Sequence, residues 1–214
     1  MNYYYRVVKM NVLFFCYAYF YARWQLSRIK KPHVTIFGGR HTQKDTEYFK
    51  FAHTTAKRLV SIGASIITGG GPGIMYAALC GAIAAQKSYS AIGFGVTGLD
   101  VEYTESCGAP TIFLPSYGLR KWFLIQYSEA FIIFPGGIGT LDEFMEILNL
   151  MKIKKMKKKS IILFGKAHWY EIDVWIRKAV EQYYVAADIA DYYEITDDIE
   201  YLIAVTQKSI ATNK

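Results

Sequence analysis

Short apolar runs that end in glycine alternate with longer stretches of helical periodicity from residue 32 onward. This alternation is typical of repeated βαβ units and predicts an α/β fold with a doubly wound parallel sheet. The apolar runs predict strands at 34–37, 65–68, 91–95, 111–114, 131–134 and 161–164, with a seventh at 193–195. The stretches between them predict helices at 45–62, 74–85, 117–129, 141–151, 169–183 and 198–207.

The chain of 214 residues shows no linker rich in Pro, Ser or Gly after residue 32. We therefore expect one Rossmann-like domain at 32–214, preceded by a helical extension at 1–31. In that extension, apolar residues at helical spacing predict a helix that packs on the domain or on a second subunit; they are Val12, Phe15, Cys16, Tyr19, Ala22, Leu26 and Ile29. Contact with a membrane surface is the less favoured alternative, and stable membrane insertion is not expected because no uninterrupted apolar run reaches about 18 residues.

The net charge of +7 comes almost entirely from one lysine run at 152–159, between a predicted helix and a predicted strand. A charged run at such a place is typical of a solvated connection. RNA binding is the alternative, but no aromatic residue is interleaved with these lysines to stack bases. We therefore expect no nucleic-acid partner.

The three cysteines, Cys16, Cys80 and Cys107, are far apart in the sequence. An odd number at such spacings indicates neither a disulfide framework nor a zinc site. The N-terminal apolar stretch lacks the small-residue cleavage site of a secretory signal. These features favour a reducing compartment, and we expect a cytoplasmic protein.

Three predicted strands end in glycine-rich turns, at 38–40, 69–73 and 136–140. In a doubly wound sheet such turns lie at the carboxyl ends of the strands, where ligands bind. Glycines allow close approach of the backbone, and N–H groups at a helix start favour an anion, so these turns predict a phosphate site. None matches the Walker or the dinucleotide-binding fingerprint, which disfavours NTP hydrolysis and NAD binding. The candidate binding residues are Gly39, Arg40, Gly70, Gly71, Gly73, Gly136, Gly137, Gly139 and Thr140. Any one of these turns could instead be merely a tight connection.

Two carboxylates follow the third turn. Thr140 and Glu143 have the spacing of a capping box, so a structural role for Glu143 is an alternative to a chemical one. That role does not explain the glycines before Thr140, nor the second carboxylate of Asp142 beside an anion site, which favours chemistry. Arg120 and Lys121 precede the strand at 131–134, so the chain brings them to the same edge of the sheet.

Taken together, P-G-G-x-G-T-x-x-E at 135–143, Arg120 with Lys121, and T-G-G-G-P-G-I-M at 68–75 resemble the LOG (lonely guy) family, long labelled "possible lysine decarboxylase". The resemblance extends from the first predicted strand to residues 197–198. It implies a phosphoribohydrolase that cleaves the N-glycosidic bond of a nucleoside 5′-monophosphate, such as a cytokinin riboside monophosphate or AMP. The products would be a free base and ribose 5-phosphate.

The resemblance also implies roles for single residues. Glu143 and Arg120 match the family's catalytic glutamate and arginine, and Gly136, Gly137, Gly139 and Thr140 match its phosphate cradle. We place Lys121 and Asp142 at the same site. No cofactor and no metal are implied. The resemblance does imply a homo-oligomer, either a dimer or an assembly of dimers. Nothing marks a pyridoxal-phosphate lysine, so the decarboxylase label finds no support.

Two points leave alternatives open. Tyr76 stands where the family usually has a glutamate, which would alter specificity if that glutamate contacts substrate. Related proteins on this fold resemble carriers of the molybdenum cofactor, so a binding protein without catalysis is the second hypothesis. The pairing of Arg120 with Glu143 favours the enzyme, because a carrier needs the glycine cradle but not the carboxylate.

Overall fold

The computed structural model describes residues 12–85, 89–98 and 106–212. Within them, seven parallel strands form one sheet with helices on both faces. The strands are β1 (His33–Phe37), β2 (Ser65–Thr68), β3 (Ala91–Val96), β4 (Thr111–Leu114), β5 (Ala130–Ile133), β6 (Ser160–Phe164) and β7 (Glu194–Thr196). The helices are α1 (Val12–Ser27), α2 (Glu47–Ser61), α3 (Ile74–Ala84), α4 (Tyr117–Gln126), α5 (Ile138–Lys152), α6 (Lys166–Glu181) and α7 (Ile199–Thr212). The predicted α/β fold with a doubly wound parallel sheet is confirmed.

The strand order is β4-β3-β2-β1-β5-β6-β7, so the direction of winding reverses between β1 and β5. The two central strands pair in register from Val34 with Ala130 to Phe37 with Ile133. Just beyond them, the N–H of Gly39 donates to the carbonyl of Pro135 over 2.9 Å. This reversal opens a crevice at the carboxyl ends of β1 and β5, where a ligand site is expected.

Strand side chains alternate between two separate core layers. One layer packs α1, α4, α5 and α6 against the sheet, and its largest buried side chains include Phe123, Phe131 and Trp169. The other packs α2, α3 and α7, around small residues such as Ala56 and Ala78. Apolar burial on both faces stabilises the central strands and fixes their ends in place.

Helix α1 packs on the first layer through Ala18, Ala22 and Leu26, with Tyr19 against Phe123 at 5.7 Å between ring centroids. The predicted helix is therefore present, but its predicted buried face is only partly right. Val12 and Cys16 are exposed, because the buried stripe runs along the helix through positions 15, 18, 19, 22 and 26. The division into 1–31 and 32–214 stays a prediction. Among the described residues, no helix combines the length and apolar character needed to cross a bilayer.

Two helices begin three residues earlier than predicted, and both begin after a glycine. Helix α5 begins at Ile138 rather than at 141, with Gly137 as its N-cap, and α6 begins at Lys166 rather than at 169, after Gly165. A side-chain cap was the sequence signal for the later start of α5, but glycine also occupies N-cap positions well. A 3-10 helix at Ala187–Tyr192 was not predicted.

The lysine run begins at the end of α5 and leads to the first residue of β6. It therefore lies at the amino end of the strands, whereas the crevice lies at the carboxyl end. Lys154, Lys155, Lys157 and Lys158 are exposed, as the solvated-connection interpretation expects.

Candidate active site

A cavity of about 610 Å³ opens at the crevice between β1 and β5. Its walls come from the turns after β1 and β5, the end of β3, and the first turns of α3, α4, α5 and α6. A volume of this size accommodates a nucleotide-sized ligand, since ligand pockets typically measure about 300–1,000 Å³. The lining residues are Gly38, Gly39, Arg40, His41, Thr42, Met75, Val96, Tyr117, Arg120, Pro135, Gly136, Gly137, Ile138, Gly139, Thr140, Glu143 and His168.

The start of α5 presents backbone donors to this cavity. Gly137 caps the helix without a side-chain hydrogen bond, and its carbonyl accepts from Leu141 over 3.0 Å. The N–H groups of Ile138, Gly139 and Thr140 are therefore first-turn donors without intrahelical acceptors. All three residues line the cavity. Such donors at the positive end of a helix suit an anion.

Gly136 is required by sterics rather than by a positive φ. A Cβ built at this position would lie 2.2 Å from Oγ1 of Thr140, which no real side chain tolerates. The Gly136 N–H donates to Nε2 of His168 over 3.3 Å, so this donor is already engaged. His168 was not predicted as a site residue, because it belongs to a helix whose start sequence reasoning placed after it.

The capping-box interpretation of Glu143 is wrong. Thr140 lies in the first turn of α5, three residues after the N-cap Gly137, and Glu143 lies in the second turn. Its carboxylate therefore cannot cap the N-terminus. With the structural alternative removed, the burial of this carboxylate at the cavity needs another explanation.

Arg120 lies on α4, which Ser116 caps by accepting the N–H of Leu119 over 3.2 Å. Its guanidinium is buried and is fixed by Nε donating to the carbonyl of Phe94 over 2.9 Å. Nη1 faces Oε1 of Glu143 at 3.7 Å, outside hydrogen-bond distance. The two side chains are therefore adjacent and oppositely charged, yet neither fully satisfies the other.

Glu143 is only 7% exposed. Burial raises the pKa of its carboxyl to about 7, because desolvation penalises the charged form. The positive charges of Arg120 and Lys121 oppose this effect only in part, and the nearby carboxylates of Asp142 and Glu146 reinforce it. A carboxyl group with a pKa near neutrality can both take up and release a proton at physiological pH.

Lys121 and Asp142 are not among the residues that line this cavity. Their side chains pair with each other at 2.8 Å beside it, and Lys121 also contacts the carboxylate of Glu146. The structure therefore places them in a neighbouring ion-pair network rather than at the cavity wall. Arg120 and Glu143, by contrast, are brought together at the wall, with Gly136, Gly137, Gly139, Thr140, Gly39 and Arg40.

The glycines of the second turn mainly make room for backbone and side chains. Gly70 and Gly73 have positive φ angles of 72° and 66°, and a Cβ on Gly73 would lie 2.2 Å from the carbonyl oxygen of Gly39. Gly70 and Gly71 do not line the cavity, and Gly73 lines an adjacent one of about 610 Å³ that shares Arg40, His41 and Thr42 with the first.

Gly69 begins the predicted turn at 69–73 but was not among the candidate binding residues, and it has the most direct link to the site. A Cβ here would lie 2.0 Å from Nη2 of Arg120, so only glycine leaves space for the guanidinium. The signal was present in the run of three glycines, but only the packed structure shows which glycine faces the arginine. Tyr76 does not line the cavity; its ring lies 6.4 Å from that of Phe49 and 5.3 Å from the Lys44 ammonium.

The fold and this cavity define a Rossmann-like protein with anion-suited backbone donors, a buried arginine and a buried carboxyl group at the switch point of its sheet. The family model described as "Possible lysine decarboxylase" matches residues 75–205, more than half of the chain. The chain belongs to this family, and the predicted family resemblance is confirmed.

Curated relatives of this chain are named for nucleotide hydrolysis. A pyrimidine/purine nucleotide 5′-monophosphate nucleosidase of Escherichia coli is 29% identical over 126 residues, which cover 56% of this chain and 28% of the relative. The match thus spans little more than a quarter of that relative's length. A cytokinin riboside 5′-monophosphate phosphoribohydrolase of Arabidopsis thaliana is 27% identical over 165 residues, 74% of this chain and 69% of the relative.

Solved structures confirm the fold alone. The molybdenum cofactor carrier protein of Chlamydomonas reinhardtii is similar with a TM-score of 0.63 at 21% identity, covering 85% of this chain and 99% of the carrier. DNA processing protein A of Streptococcus pneumoniae is similar with a TM-score of 0.55 at 14% identity, covering 85% of this chain and 69% of that protein. Proteins of different function thus share this architecture.

Proposed function

We propose that this chain hydrolyses the N-glycosidic bond of a nucleoside 5′-monophosphate, releasing a free base and ribose 5-phosphate. The observation that carries the proposal is the buried carboxyl of Glu143, whose pKa is about 7. It lies 3.7 Å from the Arg120 guanidinium, close to the start of α5 and its free backbone donors. The nucleotide hydrolases among the relatives support the same reaction class.

The backbone donors at the start of α5 bind the 5′-phosphate in this proposal. The N–H groups of Ile138, Gly139 and Thr140 supply a concentrated set of donors without an opposing side chain. Phosphate fixed there orients the ribose toward Glu143, which lines the same cavity. Positioning of this kind turns the remote phosphate into a source of catalytic binding energy.

Glu143 acts on the anomeric carbon. Cleavage of a glycosidic bond develops positive charge on the ribose ring, and an ionised carboxylate beside the ring stabilises that charge. With a pKa of about 7, the same carboxyl can accept a proton from the attacking water. Its raised pKa makes it a stronger base than an exposed glutamate.

In this proposal Arg120 stabilises the departing base and the negative charges of the bound substrate. The Nε bond to Phe94 fixes the guanidinium plane, and Nη1 remains turned toward Glu143 and the cavity. A cation held in this way neutralises charge without reorganising during the reaction.

We further propose that the protein forms a homo-oligomer, since α1 leaves Leu13, Tyr17 and Phe20 more than half exposed.

The second candidate is a carrier that binds a phosphate-containing cofactor without cleaving it. The likeness in fold to the molybdenum cofactor carrier favours this reading. Against it stands Glu143, since a buried carboxyl beside a bound anion weakens binding and has no use in a carrier.

A panel assay separates the two candidates. The purified protein is incubated with AMP, GMP, CMP, UMP and a cytokinin riboside monophosphate, and free base and ribose 5-phosphate are quantified. The matched nucleosides without phosphate serve as controls. They should be cleaved at least about a hundredfold more slowly, because they lack the 5′-phosphate that the N–H groups at the start of α5 bind. Binding of monophosphates without any base release would reject the enzyme and favour the carrier.

A further inference from the structure

His168 is a cavity residue that the proposed reaction leaves without a role. It lies in the first turn of α6, which follows the N-cap Gly165, and it lines the cavity together with Gly136 of the turn after β5. The Gly136 N–H donates to its Nε2 over 3.3 Å. The side chain thus contacts the turn that leads directly into the helix start proposed to bind phosphate.

This hydrogen bond defines which nitrogen of the ring carries the hydrogen. A backbone N–H can only donate, so Nε2 of His168 is the acceptor and carries no hydrogen. In the neutral ring the hydrogen then resides on Nδ1. Nε2 presents a lone pair, and the Gly136 N–H is occupied. Neither group is available to an anion in this arrangement.

The bond between the two groups is easily exchanged. A separation of 3.3 Å is long for an N–H donor, for which about 2.9–3.0 Å is the most common distance. The His168 side chain is exposed, so water reaches its ring. The ring meets that of the buried Trp169 edge-on, at 4.9 Å between centroids and an angle of 89°. This contact keeps the ring beside the turn when the bond to Gly136 breaks.

We propose that His168 is a phosphate-binding residue, and that binding converts its Nε2 from an acceptor into a donor. Nε2 takes a hydrogen from solvent, its bond to Gly136 breaks, and both Nε2–H and the Gly136 N–H donate to phosphate oxygens. One neutral bond within the protein is thus replaced by two bonds to a charged ligand, which are stronger. The inference rests on the proposed function for the identity of the ligand as the 5′-phosphate of a nucleotide.

The charge of a phosphate monoester explains why the site needs these donors. The group carries about two negative charges and three terminal oxygens. The start of α5 supplies only about half a positive charge, and Nη1 of Arg120 faces the carboxyl of Glu143. Arg40 lines the cavity from the turn after β1, and His168 lines it from the start of α6. Donation by His168 therefore adds a contact from a different wall of the cavity.

Nitrogen NMR of the histidine rings tests the exchange in the full-length protein, because it shows which ring nitrogen carries a hydrogen. Inorganic phosphate is the probe, sodium chloride at equal ionic strength is the control, and His168→Gln assigns the signals. We expect Nε2 of His168 to carry a hydrogen only when phosphate is bound, with a matching change in the Gly136 amide signal. An Nε2 that stays without a hydrogen in the presence of bound phosphate, or a protein that binds no phosphate, would overturn the proposal.

Variants separate phosphate binding from a structural role. His168→Phe keeps a ring beside Trp169 but removes both nitrogens. It should weaken inorganic phosphate binding at least about tenfold and raise KM for monophosphates by a similar factor, with kcat changed by less than about threefold. The slow cleavage of the matched nucleosides should not change. His168→Gln supplies an amide acceptor and donor and should recover most of the affinity.

Tyr170→Phe is the matched control, since Tyr170 lies on the same helix, is 62% exposed and does not line the cavity. It should behave as the unaltered protein does. Equal losses for monophosphates and nucleosides in His168→Phe would show a structural role only and refute phosphate binding by this residue.

The assignment of His168 and the proposed reaction fail separately. Phosphate binding with the expected ring signal, but without release of base from any monophosphate, would keep the assignment and reject the reaction. Release of base with an unchanged ring signal would keep the reaction and reject the assignment.

Discussion

Replacing Glu143 by glutamine keeps the size of a side chain that is only 7% exposed but removes its charge. The shift of its pKa from an ordinary 4.5 to about 7 corresponds to about 3 kcal/mol. Because the folded-state pKa is the higher one, this carboxyl favours the folded protein below about pH 4.5, and that contribution is lost as the pH rises through about 7. Glutamine does not titrate and escapes this loss.

Glu143→Gln should therefore gain stability relative to the unaltered protein as the pH rises, by up to about 3 kcal/mol between pH 5 and pH 8. Its turnover should fall at least about a hundredfold, the scale expected when a positioned acid–base group or charge stabiliser is lost, while monophosphate binding persists. Urea unfolding at pH 5, 6, 7 and 8 measures the first effect, and base release measures the second.

Glu146→Gln is the matched control, one helical turn further along α5 and outside the cavity lining. It should retain turnover and show no comparable pH-dependent gain. A stability difference between Glu143→Gln and the unaltered protein that is the same at pH 5 and pH 8 would show that the carboxyl is not held at a raised pKa. Unchanged base release would refute its role in the reaction.

Three further perturbations test the surroundings of the site. Gly69→Ala places a Cβ 2.0 Å from Nη2 of Arg120 and should lower turnover in the base-release assay at least about tenfold, because it displaces the guanidinium. Gly118→Ala is the control on the same helix as Arg120; its Cβ has nothing within 4 Å, and it should keep full activity. Arg120→Ala removes the nearest positive charge from Glu143, so turnover should be abolished and the pKa of Glu143, followed by NMR titration, should rise above 7; an unchanged pKa would contradict the pairing. Deleting residues 1–28 uncovers the surface beneath Ala22 and Leu26 and should cause aggregation or a change of oligomeric state in light scattering, and an unaltered truncation would count against packing on protein.

The sheet was predictable because apolar runs and glycines carry its signal locally. The strand predicted at 65–68 is found with those bounds, and that at 34–37 starts one residue earlier, at His33. In strands such as β2 and β5 every residue is buried, with neighbours such as Ile66 and Ile67 facing opposite core layers, which leaves few alternatives to a central parallel strand.

The start of α5 was not predictable in the same way. Thr140 is the strongest side-chain cap in its segment and was therefore the predicted N-cap. In the structure the N-cap is Gly137, whose carbonyl accepts the N–H of Leu141. A three-residue shift moves Glu143 from a capping position into the second turn. Whether Glu143 caps the helix or is available for chemistry therefore depends on where α5 begins, and side-chain preferences alone do not determine that residue.

Contacts between segments that are distant in the sequence were also not predictable. Gly69 meets Arg120, and Gly136 meets His168, only after the strands are paired in register. Nothing in the local pattern of either glycine distinguishes it from its neighbours. Gly69 becomes recognisable when the space around each glycine is known, because the Arg120 guanidinium lies where its Cβ would be. His168 becomes recognisable through the hydrogen bond that it accepts from the Gly136 N–H.

The position of the lysine run gives the molecule two electrically distinct ends. A five-residue strand such as β6 is about 16 Å long, and a field in physiological salt decays over about 8 Å. Positive charge at the amino end of the sheet therefore exerts little attraction at the mouth of the cavity. At physiological salt, capture of an anionic nucleotide must depend on encounters close to the helix start at Gly137, so raising the salt further should change its association rate little, even though the chain as a whole is strongly basic.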